Sequence, residues 1–158
     1  MSRRKTPSTT EPDADIDRDE FQGARALTRK QVLDMIKRKE SLVEADLRGC
    51  DLSAIVFDGV DLSYAKFAES NLSRSAFRGA NLTGASFFGS NLKDANFEDA
   101  NLEEADFDYA NLDGVVLKGA KVRKAMFPYR RVSAESVRES VRTGKRLTME
   151  SAPLEEDD

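Results

Sequence analysis

Residues 75–109 read SAFRG ANLTG ASFFG SNLKD ANFED ANLEE ADFDY: in each group of five the third residue is Leu or Phe and the first is Ala or Ser. Extended in both directions, the same period passes through Leu47, Leu52, Phe57, Leu62, Phe67, Leu72, Phe77, Leu82, Phe87, Leu92, Phe97, Leu102, Phe107, Leu112, Leu117, Val122 and Phe127 without a break. The residues two before these, from Ala45 to Ala125, are all small or β-branched. An α-helix repeats its faces every 3.6 residues and a strand every two, so a strict period of five fits neither. Self-similarity of this kind marks a stack of repeated units that share one continuous core.

A unit such as Ala80-Asn81-Leu82-Thr83-Gly84 runs small residue, Asp or Asn, Leu or Phe, then two free positions, and in this it resembles the pentapeptide-repeat family. The resemblance covers residues 43–129. It implies an all-β solenoid: a right-handed β-helix of square cross-section, four pentapeptides to a coil, with the central and small residues pointing inward. The flanking segments lie outside that pattern.

The charges supply an independent check on a twenty-residue coil. Residues one coil apart stack at the inter-strand spacing of roughly 4.8 Å, where opposite charges attract and like charges repel. Between Asp46 and Arg130 a spacing of twenty pairs Asp46 with Lys66, Asp58 with Arg78, Arg74 with Asp94, Arg78 with Glu98, Lys93 with Asp113, Glu98 with Lys118, Glu103 with Arg123 and Glu104 with Lys124, and pairs no like charges. A spacing of fifteen sets Asp46 against Asp61 and Arg78 against Lys93, and a spacing of ten sets Asp94 against Glu104. Four sides per coil is therefore the best fit. It places leucines on two opposite walls and phenylalanines on most of the other two, filling a narrow interior, with Val115 offsetting the smaller Leu117 and Val122 near the end. Slightly more than four coils makes a rod roughly 20 Å long. Asn71, Asn91 and Asn111 fall in one outer column and Asn81 and Asn101 in another; stacked amides bond along the axis and to turn backbone, so they belong to the fold.

The rest of the chain divides around this solenoid. Residues 1–26 have no periodicity and are expected to be disordered, as is the acidic tail 148–158. Thr28 and Gln31 form a plausible capping box for an N-terminal capping helix within 27–42, and Ser133 with Gly144 brackets a C-terminal helix within 131–147. Both helices are expected to cover open ends of the stack. The oligomeric state is left as monomer or dimer.

Composition narrows the function. The 158 residues contain no histidine, one cysteine and a net charge of −4. The usual acid-base group at neutral pH is therefore missing, and no Gly-rich phosphate loop or nucleophile elbow is present, so no catalytic role, cofactor or metal is expected. Cys50 sits at a small inward position. No run of eighteen apolar residues and no secretory leader is seen, so the expectation is a cytoplasmic protein that does not enter a membrane. Direct nucleic-acid binding is not expected from so small a net charge.

Two readings of the surface remain. Phe88 follows the inward Phe87 and should face solvent, in a column with Arg48, Ala68 and Asp108, with Tyr109 at the nearby corner; an exposed aromatic on a flat ladder face is an anchor for a protein partner. The alternative starts from the acidic coil 91–110, in which Asp99, Asp106 and Asp108 have no basic partner one coil away. Some members of the family protect or inhibit DNA gyrase, and the resemblance implies that an anionic face imitating DNA would modulate this or another type II topoisomerase. The neighbouring coils carry bases, which argues for a charge ladder instead. The expected function is protein–protein interaction or scaffolding, with Phe88, Asp99, Asp106, Asp108 and Tyr109 as candidate contacts.

Overall fold

In the computed structural model, residues 25–151 are described. From 46 to 126 every residue preceding a central Leu, Phe or Val forms a parallel bridge with the residue twenty further on, from Asp46 with Lys66 to Asp106 with Met126. The twenty-residue coil is thus the repeat of the backbone itself. Each wall contributes one short extended run per level, bonded to the next level by Leu47 N–H to Lys66 C=O (2.8 Å), Lys66 N–H to Ala45 C=O (2.9 Å) and their equivalents.

The turns explain why the period is five. From Leu52 to Val122 the carbonyl of each central residue accepts the amide three residues on, as in Phe67 C=O from Ser70 N–H at 3.0 Å, and the residue just before each small position adopts positive φ. Glycine occupies that corner at Gly49, Gly59, Gly79, Gly84, Gly89, Gly114 and Gly119. Larger residues accept the same left-handed strain elsewhere, Tyr109 at φ 61° among them. Where Asn or Asp precedes the central residue it holds the turn: Asn81 Oδ1 accepts from Thr83 N–H and Asn101 Oδ1 from Glu103 N–H, at 3.2 and 3.0 Å. Among the described residues, bonding along the amide column is confined to a long 3.5 Å contact from Asn111 to Asn91, so the Asn columns serve the fold through local turns.

The interior is two interlocked stacks of rings. Phe57, Phe77 and Phe97 stack on one wall and Phe67, Phe87, Phe107 and Phe127 on the opposite one, with neighbouring centroids 4.9–5.1 Å apart. Across the interior the two stacks meet edge to face at 5.7–6.2 Å. Leu52, Leu72, Leu92 and Leu112 line one of the remaining walls and Leu62, Leu82 and Leu102 the other, all buried. We refer to the walls by their members as the Phe57, Phe67, Leu52 and Leu62 walls.

Both ends are covered. Helix α1 (Arg29–Arg38) starts with the capping box of Thr28 and Gln31 and drops Val32 onto the first coil. Leu27 N–H bonds to Asp46 C=O, and the Arg29 guanidinium bonds to the carbonyls of Asp51 and Ser53, edge acceptors that no lower coil could reach. Helix α2 (Ala134–Thr143) is shorter than the 131–147 segment expected to hold it, because Gly144 ends it at φ 82°. The following residues run extended along the last coil, where Leu147 is buried and exchanges backbone bonds with Gly114 and Val115. Val141 C=O accepts from Gly119 N–H, and Ser140 Oγ accepts from Leu117 N–H. These are the donors a fifth coil would have taken. The tails expected at 1–26 and 148–158 lie outside the described residues, apart from 25–26 and 148–151; in the latter Met149 is half-buried against the core. No helix among the described residues is long and apolar enough to cross a membrane.

Replacing Phe97 with Ala removes a ring that stacks on Phe77 and meets the edges of Phe87 and Phe107. A loss of about 3–5 kcal/mol is expected. Chemical denaturation of the two proteins measures it, and equal midpoints would contradict the interlocked stack.

Candidate interaction surface

Four of the five residues singled out from the sequence meet on the Phe67 wall. The column beyond its central residues carries Phe88 and, one level up, Asp108, joined through the Gly89 N–H to Asp108 C=O bond; the adjoining corner carries Tyr109. Phe88 is 41% and Tyr109 80% exposed, and their ring centroids lie 5.2 Å apart at 59°. Tyr109 sits in the corner column one level above Gly89, and its ring reaches across to Phe88. Asp106 is half-buried, and its carboxylate accepts the Asp108 amide at 2.9 Å. Asp99 is elsewhere: it sits at a corner of the Phe57 wall, across the rod, with its carboxylate folded over Gly119.

Met126 and Tyr129 extend the apolar strip one level above Tyr109, at 47% and 55% exposure. The pattern missed them because Met126 stands where Asp or Asn is usual and Tyr129 lies where the repeat gives way to Pro128. The signal for both was the outward column itself, read one level further. At the lower end of this wall a hollow of about 470 Å³ opens between the solenoid and α1, lined by Met35, Val43, Asp46, Arg48 and Lys66. Its charges are mixed. Among the described residues no cluster of three or more His, Cys, Asp or Glu is placed to hold a metal ion.

The charge ladder is realised in register more than in contact. Glu103 and Arg123 close to 2.6 Å one coil apart. The other seven pairs form no ion pair among the described residues, and in three of them the acid turns to another partner. Asp46 binds Arg48 two residues on, at 2.7 and 2.8 Å; Asp58 accepts the backbone amide of Arg78; and Asp94 lies 3.8 Å from Arg146 of the C-terminal segment. The Arg48 hydrogen bond holds the Asp46 carboxyl below its ordinary value despite partial burial, and the Arg123 hydrogen bond does the same for Glu103. Burial raises the Cys50 thiol.

These observations place the chain among known proteins. Its residues 39–107 match the profile described as pentapeptide repeat region, and 95–127 match that of pentapeptide repeats (8 copies). The chain belongs to the pentapeptide-repeat family. Among solved structures, a pentapeptide repeat protein from the thylakoid lumen of Arabidopsis thaliana is 42% identical over 49% of this chain and 54% of its own, with a TM-score of 0.49. The match thus spans about half the length of that relative. A pentapeptide repeat protein from Nostoc is 25% identical over 65% of this chain and 88% of its own, with a TM-score of 0.53. The plasmid-mediated fluoroquinolone resistance protein QnrB1 aligns at 18% identity and a TM-score of 0.28 over 54% of this chain and 62% of its own. No curated protein matches the chain.

Because Asp46 and Glu103 have lowered values when folded, their contribution to stability is present above the unfolded values of about 3.9 and 4.3 and is lost as pH falls through the folded ones. The melting temperature is therefore expected to be level from neutral pH to about pH 5 and to fall below about pH 4. In Arg123→Ala the Glu103 carboxyl should titrate upward, towards its ordinary value, as followed by NMR. An unmoved Glu103 would show that the guanidinium is not the cause.

Proposed function

We propose that this pentapeptide-repeat protein is a non-catalytic, right-handed β-helical module that binds another protein through the Phe67 wall. The observation that carries this reading is the exposed Phe88 and Tyr109 ring pair standing beside Asp106 and Asp108. Large aromatics held rigidly at the centre of a flat patch are the usual energetic anchors of protein interfaces, and neighbouring carboxylates add selectivity for a partner. Tyr109 also occupies a left-handed corner that glycine fills more comfortably, so its presence costs backbone energy without filling the core. A chain without histidine favours a binding role over acid-base catalysis.

Charge geometry weighs against imitation of DNA. A duplex presents one negative charge about every 1.7 Å of axis. Here Asp99 stands across the rod from Asp106 and Asp108, and Asp106 is tied into its turn. In a gyrase supercoiling assay the expected result is no inhibition and no protection; either effect, lost on replacing Asp106 and Asp108 with Asn, would reverse the preference.

Tyr109→Gly separates binding from folding. It relieves the left-handed corner, so the variant should melt at or above the wild-type temperature, yet it dismantles the ring pair. In quantitative pull-downs from the native cell, Tyr109→Gly and Phe88→Ser should each reduce a specific partner about tenfold or more, the loss typical of an anchor residue. Unchanged partner recovery by both variants would remove this wall from consideration.

A further inference from the structure

On the far side of the rod the Phe57 wall carries a different pattern. Its outward column beyond the central residues reads Asp58, Arg78, Glu98, Lys118, one residue per level, as the bridges from Val56 through Ala76 and Asn96 to Val116 establish. The column before the central residues is those four bridging residues themselves, with Val56 60% exposed. The corner beside it holds Gly59, Gly79, Asp99 and Gly119: an added Cβ would meet nothing within 4 Å at the first two, and the Asp99 carboxylate lies over the last. The wall is flat, weakly apolar and alternates in charge up its length. Among the described residues Arg78, Glu98 and Lys118 form no ion pair, and Asp58 bonds only to a backbone amide on its own column.

An alternating column of four is complementary to its own reversal. A two-fold axis lying across the wall, midway between the levels of Arg78 and Glu98, brings up a second copy antiparallel to the first. Asp58 then faces Lys118 of the second copy, Arg78 faces its Glu98, and each contact occurs twice, giving four opposite-charge contacts and no like-charge one. Val56 meets Val116 of the second copy in the adjoining column. The same operation fails on the Phe67 wall, where it opposes Asp46 to Asp106, and on the Leu62 wall, where it sets Glu103 and Arg123 against Thr83 and Ser63.

We infer that the Phe57 wall is a self-complementary surface whose partner is a second, antiparallel copy of this chain. The wall is small: four levels at about 4.8 Å, by about 10 Å across, offer a few hundred Å² per copy against the roughly 800 Å² of a standard interface. Association is therefore weak and electrostatic, and salt weakens it by screening exposed charges. It leaves the Phe67 wall open on both copies, so the pair presents two ring pairs facing opposite ways.

Sedimentation velocity over a concentration series tests this on the full chain. At an ionic strength of about 0.02 M the dimer fraction should rise with concentration, and at about 0.5 M the dissociation constant should weaken at least about tenfold. Arg78→Glu and Glu98→Arg alone should each remain monomeric, because like charges then meet twice. Their equimolar mixture should dimerise again, since the two substituted columns are opposite in sign; repair of the fold within one chain cannot produce that recovery. Val56→Lys, at an exposed position, should also dissociate the pair, and it carries the test if either charge reversal fails to fold. A wild-type chain that stays monomeric at low salt, a dimer indifferent to Arg78→Glu, or a mixture without heterodimer would each overturn the inference.

Discussion

The match between two spacings holds this structure together. Parallel backbone bonding repeats the chain at the strand spacing of about 4.8 Å, and aromatic rings stack comfortably with centroids from about 4.5 Å upward. Phe67, Phe87 and Phe107 therefore lie directly over one another at 4.9 and 5.0 Å with planes nearly parallel, each ring at the height its own backbone dictates. The facing stack is offset by half a coil, and its rings consequently present edges to faces across the interior. Removing one ring leaves partners on four sides without contact, and close-packed interiors relax only partly around such a gap.

That commensurate core makes the exterior nearly independent of folding. The two positions after each central residue face solvent or form a corner, and the fold asks of them only tolerance of one left-handed φ per unit. Selection can therefore write different surfaces on the four walls of one rod. The Phe67 wall carries aromatics with acids, whereas the Phe57 wall alternates sign with small residues. At three glycine corners the side chain one level below spreads over the glycine: Tyr64 over Gly84, Asp94 over Gly114 and Asp99 over Gly119. Such coverage takes some acids out of free solution, and so bears on which carboxylates are left to meet a partner.

Open ends are the cost of a solenoid, and this chain answers it with side chains as much as with backbone. Arg29 supplies two donors to edge carbonyls at the first coil, while Ser140 supplies an acceptor and Leu147 a strand-like pairing at the last. These contacts reduce the free backbone on which end-to-end stacking of rods could draw. The lateral walls carry no such cover.

The sequence by itself determined the period, the inward residues, the twenty-residue coil, the capping box at Thr28 and the solvent-facing position of Phe88, because each follows from short-range repetition that backbone geometry converts directly into position. It also put opposite charges in one column. Only the tertiary structure decided which of those charges touch: Asp46 turned to Arg48 and Asp94 lies near Arg146, since flexible side chains settle on the nearest donor and exposed ion pairs are worth too little to enforce a ladder. It likewise split the acids, leaving Asp99 across the rod from Asp106 and Asp108, and brought Tyr109 onto Phe88. The extended run after Gly144 was equally illegible, for Leu147 has no repeat to announce it and becomes a core residue only where the last coil offers an edge to pair with.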